Sequence, residues 1–349
     1  MNSVYIEITD VCNLRCSFCP CSHPASRRTF MPSELFEKCL AGTVEIGADN
    51  VFFHVLGEPT LHPGFAHYLK KLEETPLKLT LTTNGTTIAR AGKHILQSPA
   101  VRQVNFSTHA YAELAPEEAD SHLQNALDFC RLALASRPDL YLNLRLWNVG
   151  DPSSAPWNER LLARVNETFH TNVEPGHFCS RHKSFNVTGR LYLHEDTRFE
   201  WPKNKVDSKQ WLVRSDNNGA ASSALKHSNE ATDERSNGFG EGRNIEPFSS
   251  VIASPSGRGN PRDEKKAFKQ EIVKGTCHAL DTHVAILHDG RVVACCLDHS
   301  GQIALGNIQA QSLPEILESP LATQLRDGFA KHELRHPFCQ NCSYCKRFK

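Results

Sequence analysis

From residue 4 to about residue 169, short apolar runs alternate with stretches whose apolar positions recur every three to four residues. The runs at 4–9, 50–56, 77–82, 103–107 and 141–146 read as strands. The stretches at 32–47, 64–74, 88–97, 123–136 and 158–169 read as amphipathic helices, the first capped by Ser33 or a residue upstream. Strand–helix repetition of this kind implies βαβ units and a parallel sheet, with chemistry collected at the C-terminal strand ends. A sixth strand is expected within 190–193, before Glu200-Trp201-Pro202. The pattern then lapses. Residues 203 to about 269 are rich in Ser, Asn, Gly, Lys and Glu, and too poor in apolar groups to offset ordering entropy. They are expected to form a disordered insertion, a tolerated loop in preference to a partner-binding arm. Order resumes at Gly275. Apolar runs at 282–287 and 291–296 flank His288-Asp289-Gly290, a hairpin signal, and helices are expected at 313–319 and 321–329.

Composition narrows the class. The net charge of the 349 residues is zero, which gives no sequence-wide attraction to nucleic acid or anionic membrane. No stretch approaches the roughly 20 apolar residues of a membrane span. The N-terminus enters a strand without a signal-peptide pattern, so a cytosolic protein is expected. Thirteen cysteines in a chain of this kind point to metal ligation or catalysis before disulfides. Cys12, Cys16, Cys19 and Cys21 crowd one end, and Cys277, Cys295, Cys296, Cys339, Cys342 and Cys345 the other. Cys39 and Cys130 sit in helical patterns, as small buried hydrophobes do. Cys179 stands alone on a loop.

The first strand runs into Cys12-Asn-Leu-Arg-Cys16-Ser-Phe-Cys19. Three thiolates at this spacing fit a cubane iron–sulfur cluster with one iron left open. They fit equally a zinc knuckle that takes its fourth ligand from elsewhere.

Further patches point to a family. Cys12-x3-Cys16-x2-Cys19, with the aromatic Phe18 before the last cysteine, resembles the signature of the radical S-adenosylmethionine (SAM) superfamily. Gly57-Glu58-Pro59 after the second strand resembles that family's GGEP motif, with Leu56 in place of the first glycine. Thr83-Asn84-Gly85 ends the third strand, and Ser107 and Arg145 end the fourth and fifth. The resemblance covers residues 4–200. It implies that Cys12, Cys16 and Cys19 hold a [4Fe-4S] cluster whose open iron is chelated by SAM, and that an electron then releases a 5′-deoxyadenosyl radical. It also implies that Phe18, Gly57, Glu58, Asn84, Ser107 and Arg145 contact SAM, the last two at its ribose and carboxylate. The Glu58 carboxylate has a second reading, as the cap of a turn before Pro59. His54 and His109 stand near the same strand ends, as SAM contacts, acid–base groups or structural histidines.

The C-terminal part resembles the auxiliary-cluster domains called SPASM or, when shortened, Twitch. The match is Cys277, Gly290-x4-Cys295 and Cys339-x2-Cys342-x2-Cys345. One auxiliary [4Fe-4S] cluster on Cys277, Cys295, Cys339 and Cys342 is implied, with Cys345 competing for the last place and zinc as an alternative occupant. If Cys295 faces a cluster, strand alternation turns Cys296 away from it. Cys296 is then either core or a free thiol able to give a hydrogen atom to a substrate radical.

The expected architecture is therefore α/β: a partial (βα)6 TIM-like barrel over residues 1–202, a polar insertion over 203–272, and a small SPASM/Twitch-like domain with a β-hairpin and short helices over 273–349. The implied activity is hydrogen-atom abstraction from a peptide or small-molecule substrate, ending in oxidation or epimerisation. A reductase such as flavodoxin or ferredoxin would be its partner. Peptide-modifying relatives often carry an N-terminal leader-binding domain, and a first strand at Val4 leaves no room for one. The competing class is a non-catalytic zinc or iron–sulfur scaffold.

Overall fold

The computed structural model describes residues 1–20, 29–174, 183–198, 200–202 and 273–347. Cys21, Cys179 and the 203–272 segment lie outside the described residues. The N-terminal part follows the order β1 (Ser3–Ile6), α1 (Ser33–Glu45), β2 (Asn50–Phe52), α2 (Phe65–Glu73), β3 (Lys78–Thr83), α3 (Ile88–Gln97), β4 (Val101–Phe106), α4 (Pro116–Ser136), β5 (Tyr141–Leu146), α5 (Ala155–Phe169), β6 (Ser184–Thr188) and β7 (Leu191–Glu195). The C-terminal part adds β8 (Val273–Lys274), β9 (His283–Ile286), β10 (Arg291–Val293), β11 (Ala304–Asn307), α6 (Leu313–Leu317), α7 (Pro320–Ala330), β12 (Glu333–Leu334) and α8 (Pro337–Gln340). Among the described residues no helix is long and apolar enough to cross a membrane.

One ten-stranded sheet runs in the order β11-β10-β9-β1-β2-β3-β4-β5-β7-β6, and a two-stranded sheet pairs β12 with β8. Strands β9, β1, β2, β3, β4, β5 and β7 are all parallel, with antiparallel partners only at the two ends. Two features differ from the expectation. The sixth strand extends to Glu195 and is entered through a hairpin from β6, because Gly189 takes a positive φ of 51° and turns the chain back. The C-terminal hairpin does not stand apart: β9 pairs in parallel with β1, Tyr5 opposite Ala285, and extends the main sheet.

Alternation along these strands makes two unlike faces. Val4, Ile6, Leu79, Leu81, Val104, Phe106, Leu142, Leu144, Leu191 and Leu193 are fully buried under the helices. The opposite face carries Tyr5, Phe52, Thr82, Asn105, Asn143, Arg145 and Tyr192, and much of it is polar. Helix boundaries move for local reasons. Helix α4 starts at Pro116, with Glu117 and Glu118 in its first turn, before the apolar periodicity begins. Ser33 is the first residue of α1, and the cap position, Pro32, makes no side-chain bond.

Strand β2 stops at Phe52 and not at residue 56, and by Leu56 the backbone N–H turns to a side chain. Glu7, 1% exposed, accepts the Leu56 N–H on Oε1 (3.0 Å) and the His288 N–H (3.3 Å) and Nδ1 (2.8 Å) on Oε2. One carboxylate thus ties β1 to the end of β2 and to the hairpin that follows β9. Beyond it, Gly57 (φ 72°) packs directly on the chain leaving β1: a Cβ there would lie 2.2 Å from the Thr9 carbonyl oxygen.

Burial pushes the His288 imidazolium down, but the hydrogen bond and charge of Glu7, with Asp10 and Asp289 nearby, together hold its pKa above the ordinary value. The stabilisation is therefore complete below the unfolded value of about 6.5 and is lost as pH rises through the higher folded value. His288→Gln should lower the urea midpoint, measured anaerobically, more at about pH 6 than at about pH 9; an equal loss at both would remove the ion pair from the account. Gly57→Ala should cost well over the about 1–2 kcal/mol of an ordinary left-handed substitution. Gly47→Ala (φ 70°, nothing within 4 Å) is the matched control in the same denaturation series. Equal midpoints for the two variants would contradict the backbone contact.

Candidate active site

The cysteine loop is held from three sides. The Glu58 backbone N–H donates to the Val11 carbonyl (2.7 Å), beside the Gly57 contact. The Glu58 side chain, 1% exposed, joins the strand ends. Its Oε1 accepts from Thr60 N (3.1 Å), Thr60 Oγ1 (2.5 Å) and Thr83 Oγ1 (2.7 Å), and its Oε2 from Asn84 N (2.6 Å). Asn84 then reaches the loop itself, Nδ2 donating to Asn13 Oδ1 (2.9 Å) and standing 3.7 Å from Cys12 Sγ. On the outer side, Glu113 accepts from Ser17 N (2.6 Å) and Ser17 Oγ (2.7 Å) and pairs with Arg198 (3.3 Å). Arg198 also lies 5.0 Å above the Phe18 ring. Burial, then the Glu113 charge and the neighbouring Cys12, push the Cys16 thiol up to about 12.

A cavity of about 570 Å³ opens beside this loop. Cys19 and Phe18 line it on one side, and Cys277, Cys295, Cys339, Cys342 and Cys345 on the other. The two cysteine groups separated by the whole barrel sequence therefore face one space. Its remaining wall is largely aromatic, with Phe52, Trp147, Trp201, Phe338 and Tyr344, and its polar groups include Ser107, His54, His109 and Arg145. Burial and mutual repulsion hold the Cys295 and Cys339 thiols well above their ordinary value and push Cys277 up to about 11. Cys345 is 8% exposed and donates to the Cys342 carbonyl (2.9 Å). Among the described residues no three of these groups meet closely enough to hold a single metal ion; the thiols border a space and do not converge on a point. An all-cysteine, half-buried donor set of this kind suits iron–sulfur clusters.

The remaining predicted residues are placed as follows. Gly57 and Asn84 lie beneath the cysteine loop, and Glu58 has both carboxylate oxygens engaged within the protein. Ser107 donates its N–H to the Thr83 carbonyl (2.8 Å) and faces the cavity. Arg145 faces the cavity with its guanidinium 4.6 Å from the Trp147 ring centre. Cys296 also reaches the cavity, where the Tyr5 phenol is hydrogen-bonded to it. Burial pushes the Cys296 thiol up to about 11, so it stays protonated. Burial and the Arg145 charge take His54 down to about 3 and, against a bond from Nδ1 to the Arg145 carbonyl (3.1 Å), His109 to about 4. Both are neutral. Tyr5, Thr82 and Trp147 were not singled out from sequence, although strand alternation puts Tyr5 on the inner face of β1 and Trp147 in phase with Arg145.

Comparison with known proteins agrees with this geometry. Residues 6–138 match the model of the radical SAM superfamily, and residues 277–346 match SPASM, an iron–sulfur cluster-binding domain. A tungsten-containing aldehyde ferredoxin oxidoreductase cofactor-modifying protein from Pyrococcus furiosus is 34% identical over 108 residues, covering 31% of this chain and 30% of that protein. A GTP 3′,8-cyclase from Alkaliphilus metalliredigens is 31% identical over 112 residues, covering 31% of this chain and 34% of the other. The chain thus spans about a third of the length of the curated relatives it matches. In structure it resembles anSMEcpe with bound AdoMet (TM-score 0.51, 14% identity, 99% of this chain and 84% of that one). It also resembles Streptococcus suis SuiB bound to S-adenosylmethionine (TM-score 0.50, 15% identity, 99% and 71%). At these identities the likeness is one of fold. The two domain matches bring a SAM-binding [4Fe-4S] cluster, SAM and auxiliary iron–sulfur binding. The chain belongs to the radical SAM superfamily through residues 6–138 and carries a C-terminal SPASM domain over residues 277–346.

Proposed function

We propose that this enzyme cleaves SAM reductively and takes a hydrogen atom from a substrate held between its two cysteine groups, leaving the substrate oxidised or epimerised. The observation that supports this most is the single cavity bordered by Cys19 on one side and by Cys277, Cys295, Cys339 and Cys342 on the other. When bound at Cys12, Cys16 and Cys19, the cluster supplies the electron that splits the sulfonium of SAM. The protein's own part is to bind, orient and exclude water. Phe18 offers its ring to the adenine, and Ser107 its hydroxyl to the ribose. Backbone carbonyls next to Gly57 receive the amino group, since the Glu58 carboxylate already accepts from Thr60, Thr83 and Asn84. The Asn84 amide, 3.7 Å from Cys12 Sγ, favours the thiolate. Aromatic walls keep water from the reacting carbon.

Cys277, Cys295, Cys339 and Cys342 hold one auxiliary cluster in this reading, with Cys345, bonded to the Cys342 carbonyl, as the competing fourth ligand. Cys296 decides the outcome. A protonated thiol at the cavity wall can give a hydrogen atom to the opposite face of a substrate radical, which is epimerisation and leaves a thiyl radical; one electron from the reductase and one proton would restore the thiol. If Cys296 only packs, the substrate radical would lose a proton and one electron, which the auxiliary cluster would accept, and the product is oxidised. Substrates of both sizes have support. anSMEcpe and SuiB were each solved with a peptide bound, whereas the cyclase relatives act, by name, on GTP. The electron would come from a flavodoxin- or ferredoxin-type reductase.

Anaerobic reconstitution should load about two cubanes, roughly eight irons per chain, and the reduced protein should convert SAM to 5′-deoxyadenosine. Replacing Cys12, Cys16 and Cys19 by Ala should abolish that conversion and leave about half the iron. Colourless, zinc-loaded protein that leaves SAM intact would overturn the proposal in favour of a binding scaffold.

A further inference from the structure

A carboxylate braces the cysteine loop on its outer side. Glu113 closes the 3-10 helix Thr108–Glu113 that follows β4. That helix is fixed in place: Thr108 Oγ1 donates to the Arg145 carbonyl (2.8 Å), Trp157 Nε1 to the Thr108 carbonyl (2.9 Å) and the Tyr111 hydroxyl to the Asn84 carbonyl (2.5 Å). From this position Glu113 Oε2 accepts from Ser17 N (2.6 Å) and Oε1 from Ser17 Oγ (2.7 Å). Ser17 directly follows Cys16. Arg198 lies against the same carboxylate, its NH2 3.3 Å from Oε1. Its NH1 is 3.6 Å from Asp151 Oδ2, and its guanidinium 5.0 Å from the Phe18 ring centre. Two carboxylates thus share one guanidinium beside the loop. The Glu113 and Arg198 side chains are 26% and 32% exposed, so water screens them only in part.

Bracing alone does not need the charge. A neutral amide can accept the same bonds through its oxygen. The inner brace of this loop is such an amide, Asn84, against Asn13 and Cys12. A cubane on three thiolates is anionic when reduced, and a carboxylate beside it raises the cost of adding an electron. Glu113 has a second effect of the same sign. It takes the Ser17 N–H and O–H, the donors next in sequence to Cys16, and so withholds them from sulfur. Net charge and hydrogen bonds to sulfur are both determinants of a cluster's potential. Arg198 acts in the opposite sense, as a cation.

We infer that the Glu113–Arg198 pair sets the reduction potential of the cluster on Cys12, Cys16 and Cys19, with Glu113 holding it low and Arg198 limiting the fall. This rests on the loop being the SAM-cleaving centre, as proposed above, where the electron must be reducing enough to split a sulfonium. Glu113 is a positioning residue in this role, acting through the loop and not on SAM.

A redox titration of reconstituted protein, run without SAM and followed by electron paramagnetic resonance, tests this without turnover. The signal that SAM perturbs in a parallel sample marks the cluster of the loop, and the other signal is an internal reference. Glu113→Gln keeps an oxygen for Ser17 and removes the charge. It should favour reduction of the loop cluster about fivefold, an upward shift of about 40 mV at about 59 mV per tenfold. Arg198→Gln should shift the potential about as far downward, and Arg198→Lys should stay within about twofold of wild type. The reference signal should move by less than about twofold in all three. Opposite signs separate charge from loosening, because a loosened loop admits water and moves both variants the same way. Shifts of one sign, or no shift beyond about twofold in either, would overturn the inference. If Glu113→Gln does not retain the cluster, the two Arg198 variants decide: a fall with Gln but not with Lys supports the inference, and any other pattern counts against it. A wild type with no SAM-perturbed signal would sink the reading of the loop as the SAM-cleaving centre, and this inference with it; a perturbed signal whose potential ignores Glu113 and Arg198 would sink this inference alone.

Discussion

The close passage of Gly57 over Thr9 and Asp10 is the contact on which the site depends. No side chain fits there, since a Cβ would fall 2.2 Å from a carbonyl oxygen. The contact brings the end of β2 against the chain that becomes the cysteine loop, and the buried carboxylates on either side hold it there. Glu58 ties that turn forward to Thr83 and Asn84, and Asn84 reaches Cys12. Glu7 ties it back to β1 and to His288. The loop that carries Cys12, Cys16 and Cys19 is thus braced through backbone and buried polar bonds.

The same bracing explains why two cysteine groups so far apart in sequence front one cavity. Because β9 pairs in parallel with β1, the strand that carries the cysteine loop is bonded on one side to β2 and on the other to the hairpin of the SPASM segment. Cys295 follows that hairpin directly. The cavity is therefore defined by strand pairing and not by the docking of separate bodies, and Thr82 of β3 and Arg145 of β5 join its largely aromatic wall.

Much of this was legible in the chain. The cysteine spacing, Gly57, the Asn84 turn and the order of strands and helices through β5 could all be read, because they rest on periodicity and on motifs local in sequence. What escaped depends on distant partners. Nothing near Glu58 announces that both its oxygens would be taken by Thr60, Thr83 and Asn84. Nothing near Leu56 announces that Glu7 would take its backbone N–H. The parallel pairing of β9 with β1 joins residues 280 positions apart, and no local pattern encodes it. Tyr5 and Trp147 were hidden for another reason: an aromatic on a strand reads as core until its face is known. Cys296 shows the same limit: alternation turns it away from Cys295 only where a strand runs through both, but β10 ends at Val293, and Cys295 and Cys296 both line the cavity.

The central claim is that the two cysteine groups hold two unlike centres facing one cavity, one open to SAM and one closed. Electron paramagnetic resonance of the reduced, reconstituted protein with and without SAM tests this most directly. Two superimposed [4Fe-4S]⁺ signals, of which SAM shifts one and leaves the other unchanged, are the predicted result. A single signal, or two that are both indifferent to SAM, would contradict the account.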